Sequence, residues 1–258
     1  MSSAAASRVI TLGGRPVAIP ERLLLAHARG EVLFIAGAGI SLPAGLPDFR
    51  GLALKVYGEL DPAVQATISR IPNTACNQWS AATSTLTSPQ MAEVRRFISG
   101  DYDVVLGMLE RRIDGKAHGS SRVRQTIARE LRNAGAKPAA IHSALMRLAD
   151  RGGTVTIVTT NFDMLLESAA KALRPAIQTY ALGGIPRPGR GPDFSGVLHI
   201  HGVLDRDPAR VSDFIVSDQD FGEFYLRRWV VPDLIYDAGR SRPVAEPVPS
   251  PGQWRRRR

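Results

Sequence analysis

Three short stretches of the chain are apolar or β-branched at nearly every position. The longer stretches between them repeat apolar residues every three or four. Val32 to Ala36 is a continuous apolar run, the pattern of a parallel strand buried on both faces, and it passes directly into Gly37 and Gly39. Residues 154–160 (TVTIVTT) are β-branched almost throughout and predict the best-defined strand. Residues 197–202 (VLHIHG) predict a third strand, and 213–230 predict a short strand followed by a helix.

Helical spacing fills the rest. Residues 21–29 place Leu23, Leu24 and Ala28 on one stripe, with His27 as a surface or packing residue and Gly30 as the stop. Residues 91–113 show the helical period through Val94, Phe97, Ile98, Val105, Leu109 and Ile113. Residues 122–135 repeat it with Val123, Ile127 and Leu131, closed by Gly135. Residues 80–90 read as a Ser/Thr-rich loop, with Cys76 nearby as a small packing residue. Another amphipathic helix is entered through Pro138 and closed by Gly152-Gly153; a further one covers 164–173. Residues 183–196 form a Gly/Pro loop.

Strands alternating with helices predict an α/β fold: a Rossmann-like parallel sheet with helices on both faces. The helical region at about 52–136 is too long for a simple crossover. It is expected as an insert subdomain over the carboxyl edge of the sheet, where such folds bind ligands. Residues 1–20 read as a leader, 21–239 as the folded domain and 240–258 as a disordered Pro/Arg-rich tail.

Composition narrows the function classes. The 258 residues are 44% hydrophobic and 22% charged, a globular balance with enough chain for one large core. Aromatics are 6%, too few for a base-stacking platform. The net charge of +9 sits largely at the end: residues 240–258 hold six arginines and one acid, Glu246. A solvated basic tail is the first reading and nucleic-acid contact through it the minor one. Cys76 is the single cysteine, so this chain cannot build a disulfide framework or a Cys₃ or Cys₄ zinc site. No metal is expected on the five histidines. No targeting segment is visible, and no apolar run approaches the roughly 20 residues that span a bilayer. A reducing, cytoplasmic setting without membrane contact is the expectation.

Three constellations carry candidate chemistry. The first is Gly37-Ala38-Gly39-Ile40-Ser41. Glycines after a buried strand let the backbone approach a pyrophosphate, and a following helix N-terminus would offer N–H groups. Leu42 takes the place of a third glycine, so this is not a GxGxxG fingerprint; a plain strand-to-helix turn competes with the phosphate reading. The continuation, Pro47-Asp48-Phe49-Arg50, reads either as a surface loop or as a loop closing over a ligand, with Arg50 on an anion or carboxamide and Phe49 as an apolar lid. The second constellation is Thr159-Thr160-Asn161-Phe162-Asp163 at the end of the best strand. Asn161 and Asp163 could hold ribose hydroxyls and a water, or cap the next helix. In the third, His199 and His201 alternate along one strand and so share a face. His201 beside Gly202 is read as facing the cleft and His199 as hydrogen-bonded inside.

Together these segments resemble the sirtuin family. Residues 37–51 (GAGISLPAGLPDFRG) are similar to the sirtuin nucleotide loop, in which GAGIS is followed by GIPDFRG. TTNFD (159–163) resembles the TQNID segment, and His201-Gly202 the catalytic histidine-glycine pair. Residues 137–163 resemble the stretch in which a proline and a histidine open the preceding helix, His142 falling on that structural histidine. Close matches cover about a quarter of the chain, in the family order. Two departures point to one branch. The four-cysteine zinc module of the deacylases is absent, and Thr160 stands for the glutamine of TQNID. Both resemble the bacterial sirtuin-like NAD hydrolases of anti-phage defence, as does the segment 213–229. For the Gly-x-Ser turn that the family sets against the adenosine side of NAD, only 234–241 (LIYDAGRS) corresponds. The chain reads as cut short there, with an incomplete nucleotide site.

The resemblance implies NAD as substrate and cleavage of its nicotinamide–ribose bond with water as acceptor. Asn161 would position water and ribose, His201 would be the general base, and Asp163 would orient ribose or stabilise positive charge. Gly37, Ala38, Gly39, Ile40 and Ser41 would hold the phosphates, with Asp48, Phe49 and Arg50 closing the pocket and Thr159 and Thr160 lining it. Protein deacylation or ADP-ribosyl transfer, and a truncated inactive NAD- or ADP-ribose-binding module, are the alternatives. A second copy or a partner defence protein are the expected protein partners.

Overall fold

The structure is a computed structural model that describes residues 9–12, 17–71, 85–115, 121–133, 135–150, 155–171, 173, 177–184, 195–204, 214–228 and 231–233. Cys76, the segment 234–241 and the Pro/Arg-rich end lie outside the described residues. Part of the expected leader is ordered as an antiparallel pair, β1 (Val9–Leu12) and β2 (Val17–Pro20). Helix α1 (Glu21–Ala28) follows, stopped by Gly30 at φ +77°. His27 is a packing residue: its Nε2 meets the Leu148 carbonyl at 2.7 Å.

Strand β3 (Phe34–Ala36) runs into two 3-10 turns, Ala38–Ile40 and Leu42–Ala44. No α-helix begins directly after the glycines, so the helix N-terminus expected there is not formed. Gly45, at φ +86°, reverses the chain where a Cβ would be strained. The first helix after the loop, α2 (Phe49–Leu60), starts four residues later. The insert continues as α3 (Pro62–Ile68), α4 (Ser88–Ser99), α5 (Tyr102–Asp114) and α6 (Arg122–Asn133). The helical period over 91–113 is two helices, not one: Gly100 adopts φ +82° and ends α4.

Helix α7 (Ala140–Ala149) leads to β4 (Thr156–Thr159), then α8 (Leu165–Ala170), β5 (Gln178–Ala181) and β6 (Gly196–His199). Helix α9 (Asp218–Phe221) passes straight into a π-helical turn, Gly222–Arg227. The sheet is parallel throughout, in the order β3-β4-β6-β5. This is the Rossmann-like α/β fold expected from the alternation of strands and helices. Ala36, Thr159, His199 and Ala181 lie level across the four strands, so their carboxyl ends open at one edge.

Three packed groups hold the fold. Met146, Ile157, Leu166 and Val197 fill one face of the sheet; Leu33, Val158, Leu198 and Val231 fill the other. The insert has its own core, with Val56, Tyr57, Phe97, Leu106 and Ile127 fully buried. Phe214 and Val216 also enter that core, so the segment after the histidines is anchored in the insert. Arg124 of α6 ties the two together, binding Glu110, the Phe214 carbonyl and Asp220.

Candidate active site

The carboxyl edge of the sheet forms one side of a cavity of about 190 Å³. That is below the roughly 300–1,000 Å³ of drug-sized sites and fits one ring and its sugar rather than a whole dinucleotide. Ala38 and Ser41 reach it from the first turn, Asp48 and Phe49 from the start of α2, and Thr160, Asn161, Asp163 and His201 from the strand ends. Its apolar wall comes from Leu46, Leu52, Leu131, Ile215 and Phe221. Among these, Leu52 and Leu131 are supplied by the insert, so the insert closes over the sheet edge.

Gly37, Gly39, Ile40 and Thr159 do not line this cavity. A Cβ on Gly39 would meet nothing within 4 Å, so open space lies beside it. Thr159 is buried and its Oγ1 accepts the Asn161 N–H at 3.0 Å, which turns the backbone as it leaves β4. Asp48 is the N-cap of α2 and accepts the Gly51 N–H at 2.7 Å. A Cβ at 51 would come within 3.1 Å of the capping carboxylate. The PDFRG motif is thus a capped helix start, not a free loop. Arg50, one helical step beyond Phe49, is directed away from the cavity. Its guanidinium donates to the Ile71 carbonyl at 2.5 Å and lies over the Phe97 ring.

Ser41 is the hub of the polar end. A hydroxyl has one proton, and the Asp163 carboxylate can only accept, so Ser41 donates to Asp163 Oδ2 at 2.9 Å. Its lone pairs then receive Asn161 Nδ2 at 3.0 Å. His142 Nε2 lies 3.5 Å from the same oxygen. Because His142 Nδ1 accepts the Ala139 N–H at 3.0 Å, the imidazole proton is on Nε2 and points at Ser41. His142, expected to be structural, therefore both caps α7 and supports Ser41. Sequence reasoning had no signal for this contact between residues 101 positions apart.

This network decides how Asn161 is used. It does not cap α8: the N-cap of that helix is Met164, and Asp163 Oδ1 accepts the Leu165 N–H at 3.1 Å. The Asn161 amide nitrogen is committed to Ser41, which leaves Oδ1 as a buried acceptor with no partner among the described residues. A buried acceptor without a donor is costly.

The two histidines of β6 diverge. The strand ends at His199; Ile200 still donates to the Thr159 carbonyl at 3.0 Å, but Gly202 closes a turn at φ +92°. The shared face expected for a continuous strand is lost. His199 is fully buried between Asn161 and Glu167, whereas His201 lines the cavity. Burial lowers the His201 pKa from its ordinary value of 6.5 to about 4. Tyr225 was not foreseen. Its hydroxyl lies 2.6 Å from His201 Nε2, and Phe221 meets the same ring edge-on. Burial pushes the Tyr225 phenol up to about 12. A protonated phenol is the stronger donor of the two, so Tyr225 donates to Nε2 and His201 carries its proton on Nδ1. The π-helical turn that presents Tyr225 is of a kind common at functional sites.

Residues 155–245 match the family model of the SIR2-like domain. That match includes Asn161, Asp163 and His201 and covers about a third of the chain. The chain is also similar to an uncharacterized protein of Sinorhizobium fredii, y4cA, at 34% identity over 230 residues. The alignment covers 86% of this chain and 17% of that protein, so the chain spans about one sixth of the relative's length. Among the described residues, no helix is long and apolar enough to cross a membrane.

Proposed function

We propose that the protein hydrolyses NAD to nicotinamide and ADP-ribose. The observation that supports this most directly is the Ser41–Asn161–Asp163 hydrogen-bond network, which with His201 lines one side of a cavity whose other wall is apolar. The apolar wall suits the nicotinamide ring and the polar end suits the ribose and a water.

The chemistry asks little of the side chains. The pyridinium–C1′ bond breaks with its electron pair going to nitrogen, so nicotinamide leaves neutral and needs no general acid. Positive charge develops on the ribose, which the Asp163 carboxylate at the polar end opposes. Asn161 Oδ1 orients a ribose hydroxyl or the water. The water oxygen then bonds to C1′ and its proton passes to His201. A base with pKa near 4 is weak, but it is neutral at pH 7 and the electrophile formed by nicotinamide departure is strong. Access to Nε2 requires the Tyr225 hydroxyl to yield.

Incubating the protein with NAD alone tests the proposal. Nicotinamide and ADP-ribose in equal amounts, without any acylated peptide, are the expected result. Release only with an acyl-peptide would favour deacylation, and binding without turnover a recognition module. An effector role in anti-phage defence follows only if NAD hydrolysis is found.

A further inference from the structure

Glu167 and His199 form a buried pair that the proposed reaction does not use. Glu167 is 5% exposed and His199 is fully buried. His199 Nδ1 lies 2.7 Å from the backbone carbonyl of Asn161, and a carbonyl only accepts, so Nδ1 donates. The opposite nitrogen, Nε2, is 2.8 Å from Glu167 Oε1. Thr179 of β5 donates to the same oxygen at 3.0 Å. Three elements therefore converge on one peptide group: α8 through Glu167, β6 through His199 and β5 through Thr179.

That peptide group needs external support. It lies beyond the end of β4, where the ladder no longer sets its position. Its neighbour on the amino side is held by Thr160 N–H to the Ala36 carbonyl at 3.0 Å, and the Asn161 N–H by Thr159. The Asn161 carbonyl is held by His199. Rotation of this peptide would swing the Asn161 side chain off Ser41.

We propose that Glu167 is a positioning residue for Asn161, acting through His199: the carboxyl group fixes the imidazole, and the imidazole fixes the Asn161–Phe162 peptide. This rests on the NAD-hydrolase reading for its effect on rate, but the geometry it asserts is independent of that reading.

Two variants test it. Glu167→Met keeps the chain length and removes the hydrogen-bonding group. Glu167→Gln can donate its amide to His199 Nε2 while Nδ1 still donates to Asn161. With NAD, Glu167→Met is expected to lower kcat at least about 10-fold with the dissociation constant for NAD within about two-fold, since small misplacements of a reacting group act on rate. Glu167→Gln is expected to stay within about three-fold of the parent. In ¹H–¹⁵N spectra, the Phe162 amide and the Asn161 side-chain amide should shift in Glu167→Met and stay in place in Glu167→Gln, while the Thr160 amide is unmoved in both. The spectra give an answer even if the parent protein releases no nicotinamide, which would count against the hydrolase reading alone. Should Glu167→Met fail to fold, Glu167→Gln decides: displaced Asn161 and Phe162 signals there overturn the proposal. So does a Glu167→Met variant that loses only melting temperature, with kcat and the Asn161 signals unchanged.

Discussion

The side-chain amide of Asn161 donates to the hydroxyl of Ser41 across 3.0 Å, linking the loop after β3 to the end of β4 over 120 positions of sequence. Ser41 in turn spends its only proton on Asp163. Ser41→Ala removes both bonds and leaves buried polar groups unpaired, a loss of about 1–3 kcal/mol in stability. The Asn161 amide is then free to rotate, and NAD cleavage should fall roughly 10- to 100-fold. Chemical denaturation and nicotinamide release at saturating NAD check the two effects separately.

Asn161→Asp separates positioning from capping. As a cap, aspartate is as good as asparagine and nothing would change. In the structure Asn161 caps no helix, and the new carboxylate would compete with Asp163 for the single Ser41 proton. The expected result is a loss of rate of at least about 10²-fold, with reduced stability at neutral pH. A parental rate in this variant would remove Asn161 from the proposed mechanism.

The parts of this arrangement that the sequence displays are those fixed by local pattern. The apolar run from Val32 contains β3 (Phe34–Ala36), the β-branched run before Thr160 contains β4 (Thr156–Thr159), and both strands lie in the parallel sheet. Strand β5 was not legible: Gln178 is exposed, and the strand pairs with β6 alone, at the edge. Gly196 marks the crossing only in retrospect, since a Cβ there would collide with the Gln178 carbonyl. The grouping of Ser41, Asn161 and Asp163 followed from motif order, but the links through His142, Glu167 and Tyr225 did not. They depend on which faces of α7, α8 and the π-helical turn meet the sheet edge, a tertiary outcome with no local signal.

Arg50 shows the reverse case, a residue whose chemistry suggests a ligand and whose geometry gives it another use. Its bond to the Ile71 carbonyl and its place over Phe97 tie the start of α2 to the end of α3 and to α4. Arg50→Ala should cost about 1.5–3 kcal/mol, the range for hydrogen bonds to charged groups, and leave kcat within about three-fold. Thermal denaturation and steady-state kinetics on the same preparation check this. A rate loss of 100-fold with unchanged melting temperature would return Arg50 to the ligand.

His201 sets the response to pH. Its folded pKa of about 4 lies below the ordinary value of 6.5, because burial disfavours the imidazolium. Between these values the unfolded chain binds a proton that the folded chain does not, so stability falls as pH drops from 6.5 towards 4 and levels off below that. The shift corresponds to a loss on the order of 3 kcal/mol. His201→Gln retains an acceptor for the Tyr225 hydroxyl but does not titrate. Its stability should therefore fall less steeply than that of the parent across this window, while its turnover is abolished. For the parent, the base is neutral at every pH above about 4, so the acid limb of kcat/KM should fall near pH 4 rather than near 6.5. Urea denaturation of both proteins at several pH values measures the first effect and a pH–rate profile the second. Parallel stability curves for the two proteins, or an acid limb near 6.5, would show that His201 is not buried in its neutral form.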